Sequence, residues 1–543
     1  MYATFTFLQT SKKGATVRKK NIDQLAKHCI ADVCHYLHAT IESLTFGLGI
    51  SDCVLGFLTA QLELLILLIR SADKTVPLSV CALIVKTSGS GLKQLSSIQP
   101  AAGANKTINL LLKLLLSSVE YHDLNSCSNG ESDPSYVKDL AEFSNVMLGL
   151  LPILCSFTTN AEHCTLALTT LDLILRKFLS SETWLPVVQK HLQLQHIFVK
   201  LQDENSFSSV PILMKFFLTL ARVRGGANML IASGLLSYLK LLFTQCFDDS
   251  TCSRFDYDRN NLISGDRPQN YHQLIWKLGL AVITAVVQSL GDGSYLDVLD
   301  NVMNYFFSEK MYMISYHLNA PDFSPDEHDK KRSRSGRTKT SLSALRDTEQ
   351  TLMLMCVLAR HRNSWAKATK EIDSQLREKC IHMLAFVSRV TQRHGESPVR
   401  VAPFICPPNL KEEFEDCKKP SFIRCKSGWF ALSPLACGSK PEFSGPSTSL
   451  IVRGQTTESE DPVCQTYFSD TLAVHIYTIT FLLLKFLCIQ AEGAARKAED
   501  VGYVDLTNFP ELPMPEILHG LQVFLVIAAK PISITSLATW KTK

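Results

Sequence analysis

Catalysis and metal binding need a few reactive side chains at fixed spacing, and this sequence offers three places to look. Asp256-Tyr257-Asp258-Arg259-Asn260 has the carboxylate and amide spacing that opens a calcium loop. The loop's sixth position is Asn261 rather than Gly, and its twelfth is Arg267, where a bidentate Glu belongs. A cation stands where the strongest ligand should be, so the segment reads as a solvated loop. Cys406, Cys417, Cys425 and Cys437 lie in one irregular region, but none is within four residues of another, as zinc ligand pairs are. Cys34 and His38 stand one helical turn apart with Cys29 nearby. That trio is compatible with a metal, but an ordinary packed helix is the simpler reading.

Motifs for covalent or nucleotide chemistry are absent: no Gly-x-Ser-x-Gly, Gly-x-x-x-x-Gly-Lys or Gly-x-Gly-x-x-Gly pattern occurs. His163, His191, His196, His272 and His519 are scattered over separate predicted helices with no recurring acidic partner. They read as surface or satisfied core positions. The sequence therefore assigns no catalytic, cofactor-binding or metal residue, and the expectation is a protein that is not an enzyme and needs no cofactor or small-molecule substrate.

Composition narrows the class further. The 543 residues are 46% hydrophobic and 20% charged, which fits a folded, well-buried protein of several domains or an extended array. A net charge of only +4 gives no electrostatic case for direct nucleic-acid binding. Many of the 17 cysteines, among them Cys81, Cys155, Cys356, Cys380 and Cys488, sit on apolar helical faces. With no secretory signal at Met1-Tyr2-Ala3-Thr4, free buried thiols in a reducing compartment are expected.

The elements that must position these residues are helices. Apolar residues recur at helical spacing in Asn21–Leu48, where Ile22, Leu25, Cys29, Val33, Tyr36, Leu37 and Ile41 are expected on one face. The pattern continues through Cys53–Ile69, Leu78–Ile98 (interrupted at Ser88-Gly89-Ser90-Gly91), Thr107–Tyr121, Tyr136–Phe157, Ala161–Leu179, Pro186–Leu201, Val210–Val223, Ala227–Phe247, Gln269–Leu290 and Tyr295–Leu318. Thr159-Asn160 is expected to cap a helix, and Pro211 and Pro268 lie near helix starts. Gly225-Gly226 and Gly234 frame a short–long helix unit similar to an armadillo-type turn. Successive helices with short connections stack as antiparallel pairs, and no sharp repeat period emerges. The fold class predicted is all-α: an irregular α-solenoid, HEAT/armadillo-like, with a disordered basic loop and an irregular insertion.

The predicted organisation is an N-terminal tail (1–20), a helical solenoid (21–319), a disordered basic loop (320–341), a helical pair (342–395), an irregular insertion (396–465), C-terminal helices (466–530) and an atypical tail (531–543). The helical pair is expected at Leu342–Arg360 and Glu371–Gln392. The basic loop carries Lys330 to Lys339, whose dense charge suits a nuclear-import address or a solvated loop equally well. Phosphorylation of Ser333 or Ser335 would lower that charge.

The most specific stretch is Asp470–Gln522. Its apolar run Thr471–Gln490 carries a thin polar stripe, Thr471, His475, Thr478, Lys485 and Glu492, with Leu482 and Ile489 on the same line. About a dozen apolar residues at roughly −0.3 to −0.6 kcal/mol each favour membrane insertion, against about +3 kcal/mol for Lys485 alone, so the sum lies near zero. The other apolar segments read as shorter and more interrupted than a ~20-residue span requires, so no membrane crossing is expected. A proline-built turn then leads into the start of another helix at Pro515–Gln522.

Three runs here, Tyr467-Phe468-Ser469-Asp470-Thr471-Leu472-Ala473-Val474-His475-Ile476-Tyr477, Phe486–Ala495 and Phe509-Pro510-Glu511-Leu512-Pro513-Met514-Pro515-Glu516-Ile517-Leu518-His519-Gly520-Leu521-Gln522, resemble the C-terminal region of plant large inner-ring scaffold nucleoporins. The likeness covers about a tenth of the chain and stops after Gln522, so the chain is expected to correspond to a C-terminal part of a much longer scaffold. The resemblance implies an α-solenoid subunit of the nuclear pore complex without enzymatic activity. It would bind other inner-ring nucleoporins at the nuclear envelope, peripheral to the membrane, and support nucleocytoplasmic transport and pore assembly. A single Phe-Gly pair, Phe46-Gly47, fits a structural role rather than a barrier-forming one. The alternative is a soluble armadillo/HEAT-like adaptor or transport-receptor-like protein.

Overall fold

The structure is a computed structural model. It describes residues 15–43, 52–71, 76, 78–96, 102–121, 134–202, 204–246, 268–291, 295–319, 342–369, 373–378, 380–381 and 468–501. Among these residues every regular element is helical and no strand occurs.

The contacts divide the chain into two units. The first comprises residues up to Phe247 together with Tyr271–Ser289; the second holds Asp248–Asn270 and everything from Leu290 onward. The predicted array 21–319 is thus shared between two units, with residues 248–270 and 290–319 belonging to the second.

The first unit contains α1 (Ala15–Ser43), α2 (Asp52–Ser71), α3 (Leu78–Ser96), α4 (Ala102–Tyr121), α5 (Pro134–Phe157), α6 (Cys164–Lys177), α7 (Ser181–His191), α8 (Leu194–Gln202), α9 (Val210–Ala221), α10 (Arg224–Ala232), α11 (Leu235–Cys246) and most of α12 (Pro268–Leu290). Early in the unit each helix meets its successor or the helix two further on: α1 packs on α2 and α3, α2 on α4, α3 on α4 and α5, α4 on α6, and α5 on α6 and α7. From α6 the step lengthens to three: α6 packs on α9, α7 on α10 and α8 on α11. The cause is local. The apolar pattern expected as one helix over 186–201 is two helices, broken at Leu192-Gln193, with Pro186 inside the first. Each layer there uses three rods instead of two.

Several expected boundaries shift for identifiable reasons. The helix α1 starts at Ala15, inside the expected tail, and its buried line is Ile30, Cys34, Leu37 and Ile41, while Tyr36 points outward at 70% exposure. Ser88-Gly89-Ser90-Gly91 does not interrupt α3. A Cβ on Gly89 would stand 3.0 Å from Leu150 Cδ1, and one on Gly91 would stand 3.0 Å from Ile41 Cδ1 and 3.2 Å from Leu111 Cδ1. The small residues let three neighbouring helices close on α3, and that packing outweighs glycine's poor helix propensity. Gly225 and Gly226 lie inside α10 rather than ahead of it. Gly226 sits so close to the Leu220 carbonyl that a Cβ would fall 2.3 Å from its oxygen. The short–long unit is present: α10 turns into α11 through Gly234 at φ +87, with a 69° bend. Pro211 and Pro268 occupy the first turns of α9 and α12, as expected. Asn160 Oδ1 accepts from the Glu162 amide at 2.9 Å, whereas Thr159 donates to the Ser156 carbonyl and so closes the helix before it.

The second unit holds α13 (Leu296–Asn304), a π-turn (Tyr305–Glu309), α14 (Met311–Asn319), α15 (Leu342–Leu358), α16 (Arg362–Thr369) and the 34-residue α17 (Phe468–Val501). Helix α16 was not foreseen; its one large apolar anchor is Trp365, 3% exposed. Helix α17 continues through the polar segment Ala491–Glu499. The expected second helix of the 342–395 pair is described only in part, at 373–378 and 380–381, where Leu376 and Cys380 are buried as expected.

Three helices correct the expectation that the remaining apolar segments are too short to cross a membrane. Asp52–Arg70, Lys138–Phe157 and His272–Leu290 are long and apolar enough by length and composition, with 39%, 39% and 56% of their apolar windows buried by packing.

Candidate functional site

The described residues that concentrate specific contacts lie where α15, α16 and α17 meet. Helix α15 brings Glu349 and Cys356, seven residues apart and on one face. Helix α17 brings His475 and Leu482 at the same spacing. His475 Nδ1 lies 2.7 Å from Glu349 Oε1, each side chain only 12% exposed, and Cys356 Sγ donates to the Leu482 carbonyl at 3.3 Å. A step of seven on one helix matches a step of seven on the other, so α15 and α17 run parallel. A short helix, α16, stands in the sequence between them. His475 of the polar stripe is therefore part of a packed seam, while Glu492 at the stripe's far end is exposed.

Helix α16 closes one side of this seam. Trp365 packs edge-on against Phe486 of α17, with ring centroids 5.8 Å apart, and against Phe307 of the π-turn at 4.9 Å. Its indole N–H donates to Asp373 Oδ1 at 3.3 Å, and the other oxygen of Asp373 takes Arg377 at 3.2 Å. Arg362 reaches Glu492 at 3.5 Å, a pair with Glu492 two-thirds exposed and thus of little energetic weight. Burial pushes the Cys356 thiol up to about 11, so it is an inert structural donor. On a flanking face of α15, Thr348 Oγ1 donates to the His317 carbonyl at 2.8 Å. Complete burial pushes the His317 imidazole down to about 4.

The residues singled out for chemistry are placed as follows. Cys34 Sγ lies 3.9 Å from Thr87 Oγ1, which is 3.5 Å from His38 Nδ1, and His38 Nε2 is 3.1 Å from Glu42. This is a polar relay tying α1 to α3 around a fully buried threonine. Burial pushes the Cys34 thiol up to about 11, and Cys29 is only half-buried. No group of three metal-ligating side chains occurs among the described residues. His163 is buried against Phe157, its Nδ1 2.9 Å from Asn109 Oδ1, and burial lowers its pKa. His191 and His196 are exposed, and His272 packs edge-on against Phe207. Asp172 receives the Thr219 hydroxyl and pairs with Arg176 at 2.9 Å, joining α6 to α9. Of the cysteines named from sequence, Cys81, Cys155, Cys356 and Cys380 are buried, while Cys488 is exposed, because it falls on the outer face of α17.

Asp256–Asn260, Cys406, Cys417, Cys425, Cys437, Phe46-Gly47, the Lys330–Lys339 cluster with Ser333 and Ser335, and Phe509–Gln522 with His519 lie outside the described residues. Sequence inspection missed Glu349 and Trp365. No local signal marks Glu349, whose partner is 126 positions away. Trp365, an isolated large aromatic in a polar stretch, was the one visible clue to α16.

No protein-family model matches this chain, and no curated protein matches it either.

Proposed function

We propose that this chain is a structural scaffold protein of the nuclear pore complex, an irregular α-solenoid that works through protein–protein contacts. The observation that carries the reading is the resemblance of Tyr467–Tyr477, Phe486–Ala495 and Phe509–Gln522 to inner-ring scaffold nucleoporins. Neighbour and next-neighbour helix packing supports it, since stacked rods expose long surfaces suited to partner helices or peptide segments. In this reading the step of two is HEAT-like and the step of three, with its bend at Gly234, is armadillo-like. Its partners are other inner-ring nucleoporins, it carries no catalytic residue, and it lies peripheral to the nuclear envelope.

Affinity purification of the full chain followed by mass spectrometry tests the assignment. Co-purification of other inner-ring nucleoporins is expected; recovery of none contradicts it. Extraction of the protein from envelopes by alkaline carbonate supports peripheral attachment, and retention with the lipid fraction points to the three long apolar helices as spans. The second reading is a soluble armadillo-like adaptor, favoured by the α10–α11 unit. It predicts cargo or transport factors in the same purification.

A further inference from the structure

Three helices of the first unit present their outer lines side by side. Helix α6 packs on α4 and on α9. Asn109 of α4 lies beside His163 at the start of α6, and Thr219 of α9 lies beside Asp172. Helix α5 runs back along α6, its Phe143 against Phe178 just past the end of α6. Lys200, near the end of α8, reaches the Ala161 carbonyl ahead of α6, so α9 sets off from that same end. The three helices therefore run in one direction, with residues 109, 163 and 210 at about one level. Their outer lines share a charge. Lys113 of α4, Lys177 of α6, Lys215 of α9 and Arg222 just past it are exposed. None of the four ion-pairs with a described residue, whereas Lys106 and Arg176 are taken up by Glu63 and Asp172. Glu120 is the one exposed acid among the described residues of the three helices.

The register groups these charges. Lys113 and Lys215 are level with residues 167–168 of α6, and Lys177 and Arg222 lie about two turns further on. Between the two levels stand Leu116, Leu173 and Leu218, one from each helix and all half-buried. A leucine band is thus bordered by cations on both sides. We propose that this face of α4, α6 and α9 binds an acidic segment of a partner protein, its carboxylates on Lys113, Lys177, Lys215 and Arg222 and its apolar side chains on the leucine band. Four unpaired cations against one acid set the sign of the occupant. Packed helices stand 8–10 Å apart, so the face is about 20 Å wide, the reach of about six extended residues. Nucleic acid fits less well, because no aromatic side chain is exposed among the described residues of these helices for bases to stack on. A bilayer fits less well, because the half-buried leucines do not project as insertion requires. The inference stands on exposure and helix register and does not rest on the nuclear-pore reading.

Fluorescence anisotropy of a labelled peptide of repeated Glu-Glu-Leu, titrated with the full chain, tests it. Saturable binding that weakens as salt rises is expected. A chain carrying Lys113→Glu, Lys215→Glu and Arg222→Glu should bind about tenfold more weakly, from the loss and reversal of three exposed ion pairs. Lys93→Glu, at an exposed position of α3 in the other layer, should leave binding unchanged. No binding to the unaltered chain, full binding to the triple variant or an equal loss in Lys93→Glu overturns the proposal. A second arm uses only the unaltered chain, so it holds even if the triple variant fails to fold. Carbodiimide couples peptide carboxylates directly to lysines, and the links are mapped by mass spectrometry. Links at Lys113, Lys177 or Lys215 support the proposal; links confined to other lysines, or none, overturn it. Polyuridine or phosphatidylserine vesicles binding more tightly than the peptide, and protecting the same lysines from acetylation, assign the face to nucleic acid or lipid and overturn it as well.

Discussion

Both units join helices through polar pairs and aromatic rings, and they differ in how tightly their described helical glycines are packed. In the first, Gly89 and Gly91 admit the Leu150, Ile41 and Leu111 side chains to α3, Gly279 lies under the Phe243 ring and Gly226 approaches the Leu220 backbone carbonyl, while Gly56 and Gly149 stand open. In the second, the only described helical glycine is Gly493, with nothing closer than 3.8 Å to where its Cβ would be. There the seams are held by large aromatic rings and by polar pairs, Trp365 among Phe307 and Phe486, and His475 against Glu349. At Gly226 added volume meets a fixed backbone carbonyl, whereas at Gly89 and Gly91 it meets side-chain ends that can give by a few tenths of an ångström. An aromatic and polar seam tolerates no removed volume and no lost partner.

Substitutions can break this contrast. The largest effect is expected from Trp365→Ala, which empties the centre of the second unit's aromatic cluster and should cost about 3–5 kcal/mol in denaturant unfolding. Next is acid. His317 is held neutral by burial, its pKa down from 6.5 to about 4. The folded state therefore binds this proton less tightly than the unfolded state, and the contribution is complete above pH 6.5. It is lost as pH falls toward 4, on the order of 3 kcal/mol. Thermal unfolding followed from pH 7 to 4 should show this slope, and His317→Gln should reduce it. His163, lowered by the same cause, adds a slope of the same sign in the first unit.

Gly226→Ala should cost about 1–3 kcal/mol, because the obstacle is a backbone carbonyl that cannot step aside. Glu349→Gln keeps the size of the side chain and removes its charge, and should cost about 1–2 kcal/mol. The smallest effect has the opposite sign: Gly493→Ala should stabilise α17 by roughly 0.5–1 kcal/mol, since the site is open and alanine is the better helix former. Equal costs for Gly226→Ala and Gly493→Ala would erase the distinction between a packed and an open glycine.

Helical periodicity made most of the rods legible in the sequence, because burying one stripe of each leaves a period that a reader can count. What it hid was every effect that depends on distance in space. The serine–glycine run of α3 looks like a break along the chain and is a point of close approach in three dimensions. His475 was visible as one position of a polar stripe, yet its role rests on Glu349, which no local pattern connects to it. Helix α16 is polar apart from Trp365, so it offers periodicity little to detect. The division of 186–201 into two helices, which changes the stacking step, gives no signal beyond a proline that the first helix accommodates.

Fluorescence recovery after photobleaching of the tagged full chain at the nuclear envelope tests the scaffold reading most directly. A punctate rim that stays dark for many minutes is the predicted result. A diffuse signal, or a rim that refills within seconds, contradicts it.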